Sequence, residues 1–289
     1  RPMHVEDGFA YGPGVSDMKS GLLNIVYALR ALPQAERDAL SICVCMNPDE
    51  EVGSIHSSAW IESVARKARY VLVAEAARAD GGLVKARKGM ARYKIAVSGR
   101  AAHAGNEPEK GRSAITELAH WLVTLDSMKD LEAGTSINAG LIEGGAGANI
   151  VAAYASALVD VRFWDNNAYC ALDQAIQARA SHPYTPDVTI ELVREAYKPA
   201  MVPTPETEHL MGLVEAAAFD EAVPIHWKAV GGGSDANNTA ALGIPSLDGF
   251  GPVGANFHSD DEYLQLDSIE PRIRLLARVL SRLAEQKMT

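Results

Sequence analysis

Apolar and polar positions repeat along the first part of the chain with two different periods. Apolar runs at 40–46 and 70–74 predict strands, and residues 57–66 between them have helical spacing. A helix over 18–32, ended by Pro33, is predicted by apolar residues that recur on one helical face: Leu22, Ile25, Val26 and Leu29. This alternation of strands and helices is typical of an α/β sheet.

The pattern changes near residue 88. The predicted elements there are a strand at 92–98, a helix at 111–125, strands at 136–142 and 156–163, a helix at 169–179 and a strand at 188–193. The order βαββαβ is the ferredoxin-like split arrangement. It predicts an inserted α+β domain at 88–202 within an α/β domain made of 1–87 and 203–289. The second part of the α/β domain contains predicted helices at 208–219, 234–241 and 269–285.

The length, hydrophobic content and net charge of the chain indicate its domain number and the kinds of ligand it can bind. A chain of 289 residues with 47% hydrophobic content can bury one or two cores and has the length of two domains. The net charge is -10 and the basic residues form no run, which argues against nucleic acid and favours a small or peptidic ligand. No apolar stretch approaches the ~18 to 20 residues of a membrane span.

The three cysteines are too few and too odd in number for a disulfide framework. Cys43 and Cys45 are two residues apart on a predicted strand and would share a face. We expect them to be buried free thiols.

Candidate chemistry lies just after the predicted strands and in glycine-rich loops. Asp17 lies in a glycine-rich turn, Glu50 and Glu51 follow the run 40–46, Glu75 follows the run 70–74, and His258 lies in a polar loop near the far end. Three of these four carboxylates, together with the imidazole, would make up a ligand set that Zn²⁺ accepts. The alternatives are a solvated acidic pair at a strand end and, for Asp17, a cap on the following helix.

Five short motifs together indicate a family. They are YGPGVSDMK at 11–19, DEEVGS at 49–54, AHAG at 102–105, GGGSDA at 231–236 and FHSD at 257–260. In this order they resemble the zinc-dependent aminoacylase and glutamate carboxypeptidase superfamily, which includes acetylornithine deacetylase and succinyl-diaminopimelate desuccinylase. The resemblance covers essentially the whole chain and is greatest to glutamate carboxypeptidase.

The resemblance implies hydrolysis of an amide or peptide bond by two metal ions. Zinc is expected, with cobalt or manganese as alternatives. Asp17 would bridge the ions, Glu51 and His258 would complete one site, and Glu75 would serve the other. Glu50 would act as the general base that takes a proton from the attacking water and passes it to the leaving amine.

The resemblance also gives roles to the inserted domain, which would form a homodimer. His103 would reach the active site of the partner chain and stabilise the oxyanion, although an exposed loop histidine is the alternative. Asn149, Arg162, Lys198 and Gly232 would bind substrate, and the alternative for Arg162 is an ordinary strand-edge charge.

Other assignments of activity stay open. Lys198 stands where the glutamate-releasing enzymes of the family have arginine, which leaves an N-acyl-amino-acid deacetylase or desuccinylase as an alternative. A nonhydrolytic dimeric binding module is an alternative of another class.

One expected motif does not occur. The family has a His-x-Asp strand upstream of the glycine-rich turn, but only sixteen residues precede Asp17, and His4 lies in a segment that matches a loop. We therefore expect that the first strands of the catalytic domain, with one metal-binding histidine, are absent and that this chain alone is inactive. The compartment stays open: cytoplasmic without a preceding leader, periplasmic or secreted with one.

Overall fold

The computed structural model describes residues 2–288, which fall into two compact units. Unit 1 combines the chain up to Arg87 with the chain from Met201 onward, and unit 2 is Lys88–Ala200. In chain order the elements are β1 (His4–Glu6), β2 (Phe9–Tyr11), α1 (Ser20–Ala31), α2 (Gln34–Ala39), α3 (Ser58–Ala65), β3 (Val71–Leu72), β4 (Leu83–Arg87), β5 (Gly89–Ser98), α4 (Ala114–Ser127), β6 (Ser136–Gly144), β7 (Tyr154–Phe163), α5 (Asn166–Ala180), β8 (Thr189–Lys198), α6 (Pro205–Asp220), β9 (Trp227–Val230), α7 (Asp235–Ala241), β10 (Ser246–Leu247), β11 (Gly254–Ala255), β12 (Tyr263–Gln265) and α8 (Ile269–Met288).

Unit 1 is built on short parallel strand pairs. β3 pairs with β10 and β4 pairs with β9, both in parallel. The backbones of Val84 and Asp248 exchange two hydrogen bonds of 2.8 and 3.0 Å, which join the two pairs. Apolar faces of three helices, α1, α6 and α8, cover them with a common core that includes Ala28, Leu83, Leu210, Val214, Leu247, Phe250, Leu275 and Val279. The segments that follow β3 and β10 carry Glu75 and Asp248, two of the acidic residues around the site.

A second, antiparallel sheet in unit 1 connects distant parts of the sequence. Its strand order is β1-β2-β12-β11, with Tyr11 opposite Tyr263 and Phe9 opposite Gln265. This pairing brings the glycine-rich turn after β2 next to the segment that precedes β12. The turn and the segment with His258 are therefore neighbours although about 240 residues separate them in sequence.

Two glycines allow backbone segments to approach closely around the site. A Cβ at Gly21 in α1 would overlap the carbonyl oxygen of Ala74, and one at Gly254 would overlap the hydroxyl of Ser16. Helix α1 thus packs directly on the segment that leads to Glu75.

Unit 2 has one antiparallel sheet in the order β6-β7-β5-β8. The side chains of Tyr93, Trp121 and Phe163 are among the largest in its core, which the sheet forms with α4 and α5. Ser113 and Asp165 cap the two helices by accepting backbone N–H groups. The chain order of these elements is βαββαβ, so the predicted fold class, an α/β domain with a ferredoxin-like insertion, is confirmed.

Two predictions about the first part of the chain are wrong. Residues 40–46 form no strand and pair with none among residues 2–288, and Ile42, Val44 and Met46 are exposed. An apolar run forms a strand only where a neighbour supplies hydrogen bonds to its backbone. Cys43 on this segment is consequently exposed rather than buried, while Cys45 is half-buried.

No helix within 2–288 is both long and apolar enough to cross a membrane.

Candidate metal centre

Asp17 is held in place by a buried carboxylate from the other end of the chain. The side chain of Glu262 accepts hydrogen bonds from the backbone N–H groups of Gly14, Ser16 and Asp17, at 2.9, 2.9 and 3.0 Å. Glu262 is only 4% exposed. The turn therefore has irregular backbone geometry at Asp17, and α1 begins at Ser20 instead of residue 18.

Three of the predicted ligands come together. His258 Nε2 lies 3.1 Å from an Asp17 carboxylate oxygen and 3.1 Å from a Glu51 carboxylate oxygen. One ligand atom from each of these residues lies within 4.8 Å of the others. His258 has a positive φ of 61°, a backbone conformation that side chains seldom adopt and that the surrounding turn imposes.

Glu50 and Glu51 lie in a short 3₁₀ turn, Glu50–Val52, and not at a strand end. Successive residues of such a turn are about 120° apart, so the two side chains still diverge. Glu51 contacts His258, whereas the charge of Glu50 acts on Glu75. This divergence suits a ligand beside a general base.

Asp49 organises the loop that carries both glutamates. It accepts the backbone N–H groups of His56 and Ser57 at 2.9 and 3.2 Å. Hydrogen bonds from the Ser57 side chain and the His56 backbone lower the pKa of Asp49 to about 2. The side chains of Ser54 and Asn47 donate to Asp235, which joins this loop to the start of α7.

Glu75 lies three residues after β3, in the same acidic surroundings as Asp17. Burial, followed by the carboxylates of Asp248, Asp17 and Glu50, raises the pKa of Glu75 to about 9. The protonated carboxyl is hydrogen-bonded to Asp17. Carboxylates this close repel one another unless a proton or a cation lies among them.

The donor set fits a metal ion. An imidazole nitrogen and carboxylate oxygens converge, and zinc is bound by these ligand types. The raised pKa of Glu75 has the same physical origin, since a cation at this place would replace the proton. Asp17, Glu51 and His258 would hold one ion, and Glu75 would serve a second beside Asp17.

Sequence reasoning missed the buried ion pair that supports the site. The Arg87 guanidinium donates to Asp248 through Nε and Nη2, both at 2.8 Å, and through Nη1 to the Gly232 carbonyl at 2.8 Å. Asp248 also accepts from the Ser234 hydroxyl at 2.6 Å. The predicted substrate-binding residue Gly232 is exposed, and its carbonyl is bound by this arginine.

Two of the predicted functional residues of unit 2, His103 and Asn149, lie on loops, and the other two, Arg162 and Lys198, lie on strands. The His103 loop and the Asn149 loop are adjacent, because the backbone N–H of Ala104 donates to Asn149 at 2.9 Å. The Nδ1 atom of His103 accepts the N–H groups of Gly105 and Asn106, both at 3.1 Å. A neutral ring therefore carries its proton on Nε2, where it can be donated.

Arg162 and Lys198 lie on strands that flank β5, and both are opposite Met90. They therefore share a sheet face. Arg162 forms a two-pronged ion pair with Asp160, at 2.7 and 3.0 Å. Lys198 is 6% exposed. A substrate carboxylate at Arg162 would have to compete with Asp160.

The site combines an imidazole and two carboxylates, which converge, with a neighbouring glutamate that points away from them. It lies in an α/β unit that carries a ferredoxin-like insertion. This combination is typical of metal-dependent hydrolases. The chain belongs to the peptidase family M20/M25/M40, whose model matches residues 2–282. The protein is thus a metallopeptidase or amidohydrolase, and enzymes of this family depend on metal ions.

Relatives of this family differ in the names of their activities. The chain is 30% identical to carboxypeptidase G2 of Pseudomonas sp. (strain RS-16) over 298 residues, covering 99% of this chain and 70% of that protein. It is 28% identical to succinyl-diaminopimelate desuccinylase of Azoarcus sp. (strain BH72), covering 96% and 75%. Aminopeptidase PepT from Bacillus cereus has the same fold, with a TM-score of 0.78, 22% identity and coverage of 98% and 76%.

Proposed function

We propose that this protein is a zinc-dependent hydrolase that cleaves the amide bond of small peptides or N-acyl amino acids. The observation that carries the proposal is the convergence of Asp17, Glu51 and His258 within 4.8 Å. Asp17, Glu51 and His258 would hold one zinc ion, and Glu75 would serve a second ion together with Asp17. When bound, zinc polarises the scissile carbonyl and lowers the pKa of a coordinated water to about 7.

The protein's own contribution to the reaction is proton transfer. Glu50 takes a proton from the attacking water on a carboxylate oxygen and donates it to the departing nitrogen. Glu50 is adjacent to the ligand Glu51 in sequence, and its charge acts on Glu75; both observations support this role. Asp49 keeps the turn in place by binding the backbone of residues 56 and 57.

The relatives' names suggest two substrate classes. A carboxypeptidase releases a C-terminal residue, and a desuccinylase removes an acyl group that carries a carboxylate; we propose the first as the main activity, by similarity to carboxypeptidase G2. Desuccinylase activity is the alternative, because the residues expected to bind the C-terminal carboxylate of a peptide differ from a freely available arginine. Position 198 is a lysine, and the guanidinium of Arg162 is bound by Asp160.

We further propose that the protein is a homodimer formed through unit 2. The edge strand β6 exposes Leu141 and Ile142, at 62% and 58%, and α4 exposes Val123 at 71%. Exposed apolar groups on an edge strand and a neighbouring helix are typical of an interface between copies. His103 of one copy then supplies its Nε2 proton to the oxyanion formed on the other.

The test is zinc-restored hydrolysis. The chain is produced together with the His-x-Asp strand that the family resemblance predicts, freed of metal by a chelator, given zinc and assayed on C-terminal glutamyl peptides, N-acetyl amino acids and N-succinyl amino acids. We expect hydrolysis to return with zinc and Glu50→Gln to lose about 10² to 10⁴ in rate while it binds zinc as tightly as the native chain. Zinc binding without hydrolysis of any of the three classes would contradict the proposal.

A further inference from the structure

Arg78 is a charged side chain beside the metal centre that lacks a hydrogen-bond acceptor among residues 2–288. It stands three residues after Glu75 and is half-buried. Among residues 2–288 its guanidinium makes no hydrogen bond or ion pair, and its Nε atom is shielded from solvent without an acceptor. Leaving a buried donor unsatisfied is costly, so such groups commonly mark a place where something else binds.

The backbone of unit 1 fixes the position of Arg78. Its N–H donates to the Gly82 carbonyl at 3.1 Å, and its own carbonyl accepts from Gly81 at 2.7 Å. The buried Arg272 from α8 binds the Gly81 carbonyl and secures the same turn. The side chain is thus carried by a turn with little freedom to move away.

The guanidinium lies over an aromatic ring next to a metal ligand. Its central carbon is 5.6 Å from the centroid of the Phe257 ring, and Phe257 directly precedes His258. Stacking on an aromatic face orients the planar fork while its donors stay free for a ligand.

The nearby carboxylates are already engaged. Asp248, Glu75 and Asp17 act on the charge of Arg78 from a distance, whereas burial, followed by Arg87, lowers its pKa. Asp248 is bound by Arg87 at 2.8 Å, and Asp17 contacts His258 at 3.1 Å. Among residues 2–288, no carboxylate of unit 1 therefore accepts a hydrogen bond from Arg78.

We propose that Arg78 binds a carboxylate of the substrate and makes the enzyme select amides that carry a free carboxylate near the scissile bond. The proposal rests on the proposed amide hydrolysis and adds a recognition residue to it. A guanidinium fork can bind a carboxylate through two parallel hydrogen bonds. The carboxylate can belong to the amine side of the amide, as in an N-acyl amino acid, or to the acyl side, as in an N-succinyl group.

The test measures ligand binding to zinc-loaded Glu50→Gln protein by calorimetry, so that nothing is turned over. Two matched pairs separate the sources of the carboxylate: N-benzoylalanine with N-benzoylalaninamide, and N-phenylsuccinamic acid with its amide. In the arginine form we expect one of the acids to bind on the order of ten- to a hundredfold more tightly than its amide. Arg78→Gln removes that preference, leaves the affinity for the amide unchanged and does not weaken zinc binding, and Arg78→Lys restores part of the preference.

Arg69→Gln is the matched control, since Arg69 is an exposed arginine over the Tyr70 ring just before β3, at the other end from Glu75. This variant should keep the preference. Equal losses for acid and amide in Arg78→Gln, or no preference in either pair with zinc bound, would overturn the role of Arg78 alone. Failure to bind zinc would overturn the proposed function and this inference together.

Discussion

Removing the carboxyl group of Glu75 should change how the stability of the metal-free protein depends on pH. Burial and the neighbouring carboxylates raise the pKa of Glu75 from its ordinary value of 4.5 to about 9. Between these values the folded protein keeps a proton that the unfolded chain has lost. The stability that this proton contributes is present at low pH and is lost as pH rises through the folded pKa.

The size of the effect follows from one proton. Each pH unit within this window lowers the free energy of unfolding by about 1.4 kcal/mol, so about 2.7 kcal/mol is lost between about pH 6 and about pH 8. Glu75→Gln cannot ionise and should abolish the slope. Zinc should abolish it as well, because the cation replaces the proton among the carboxylates.

The assay is urea unfolding of chelator-treated protein at several pH values. The unfolding transition of unit 1 is identified as the one whose urea midpoint changes when zinc is added. Glu6→Gln is the control, since Glu6 is an exposed glutamate on β1 of the same unit. Its slope should match that of the native chain. A native slope near zero, or a slope that persists in Glu75→Gln, would refute the account of the acidic cluster.

Three further predictions concern residues that support the fold and assembly. Glu262→Ala should lower the free energy of unfolding by about 3 kcal/mol or more and weaken zinc binding, because three backbone N–H groups lose their acceptor; calorimetric zinc titration that shows native affinity would contradict it. Asp248→Asn should cost about 3 to 5 kcal/mol in urea unfolding, because it leaves the buried charge of Arg87 uncompensated; a loss below about 1 kcal/mol would be inconsistent with a buried pair. Leu141→Glu should convert the dimer into monomers in sedimentation experiments. Leu131→Glu, at an exposed leucine outside the predicted interface, should leave the dimer intact. A native chain that sediments as a monomer would exclude the dimer.

The elements of unit 2 could be predicted well from local patterning. Strands β5 and β7 alternate between buried and less buried residues, with Ala91, Tyr93, Ile95 and Val97 of β5 buried on one face. Its helices begin at the capping residues Ser113 and Asp165. Each of these signals is contained within a few neighbouring residues.

The strands of unit 1 were harder to predict. β3, β10 and β11 have two residues each, too few for any period to show. The run 40–46 has the right composition for a strand, but strand formation depends on a partner that lies elsewhere in the sequence. In unit 1, local patterning therefore misses short strands that form and predicts a strand at 40–46 that does not form.

The site could be predicted in part from its residue types. Asp17, Glu51 and His258 stand out as possible ligands in glycine-rich and polar loops, and the structure brings them together. Glu262, Arg87 and Asp248 could not be recognised, because their importance comes from partners at least 145 residues away in sequence. Arg78 was missed for the opposite reason, since its distinguishing feature is that its guanidinium has no hydrogen-bond acceptor among residues 2–288.

The most direct measurement of the central claim is anomalous diffraction at the zinc edge from crystals grown with zinc. We expect a peak about 2.0 to 2.2 Å from His258 Nε2 and from carboxylate oxygens of Asp17 and Glu51. Glu75 should face the same centre from the side of Asp17. Zinc found only elsewhere, for example on Cys43 and Cys45, with no peak at these three residues, would contradict it.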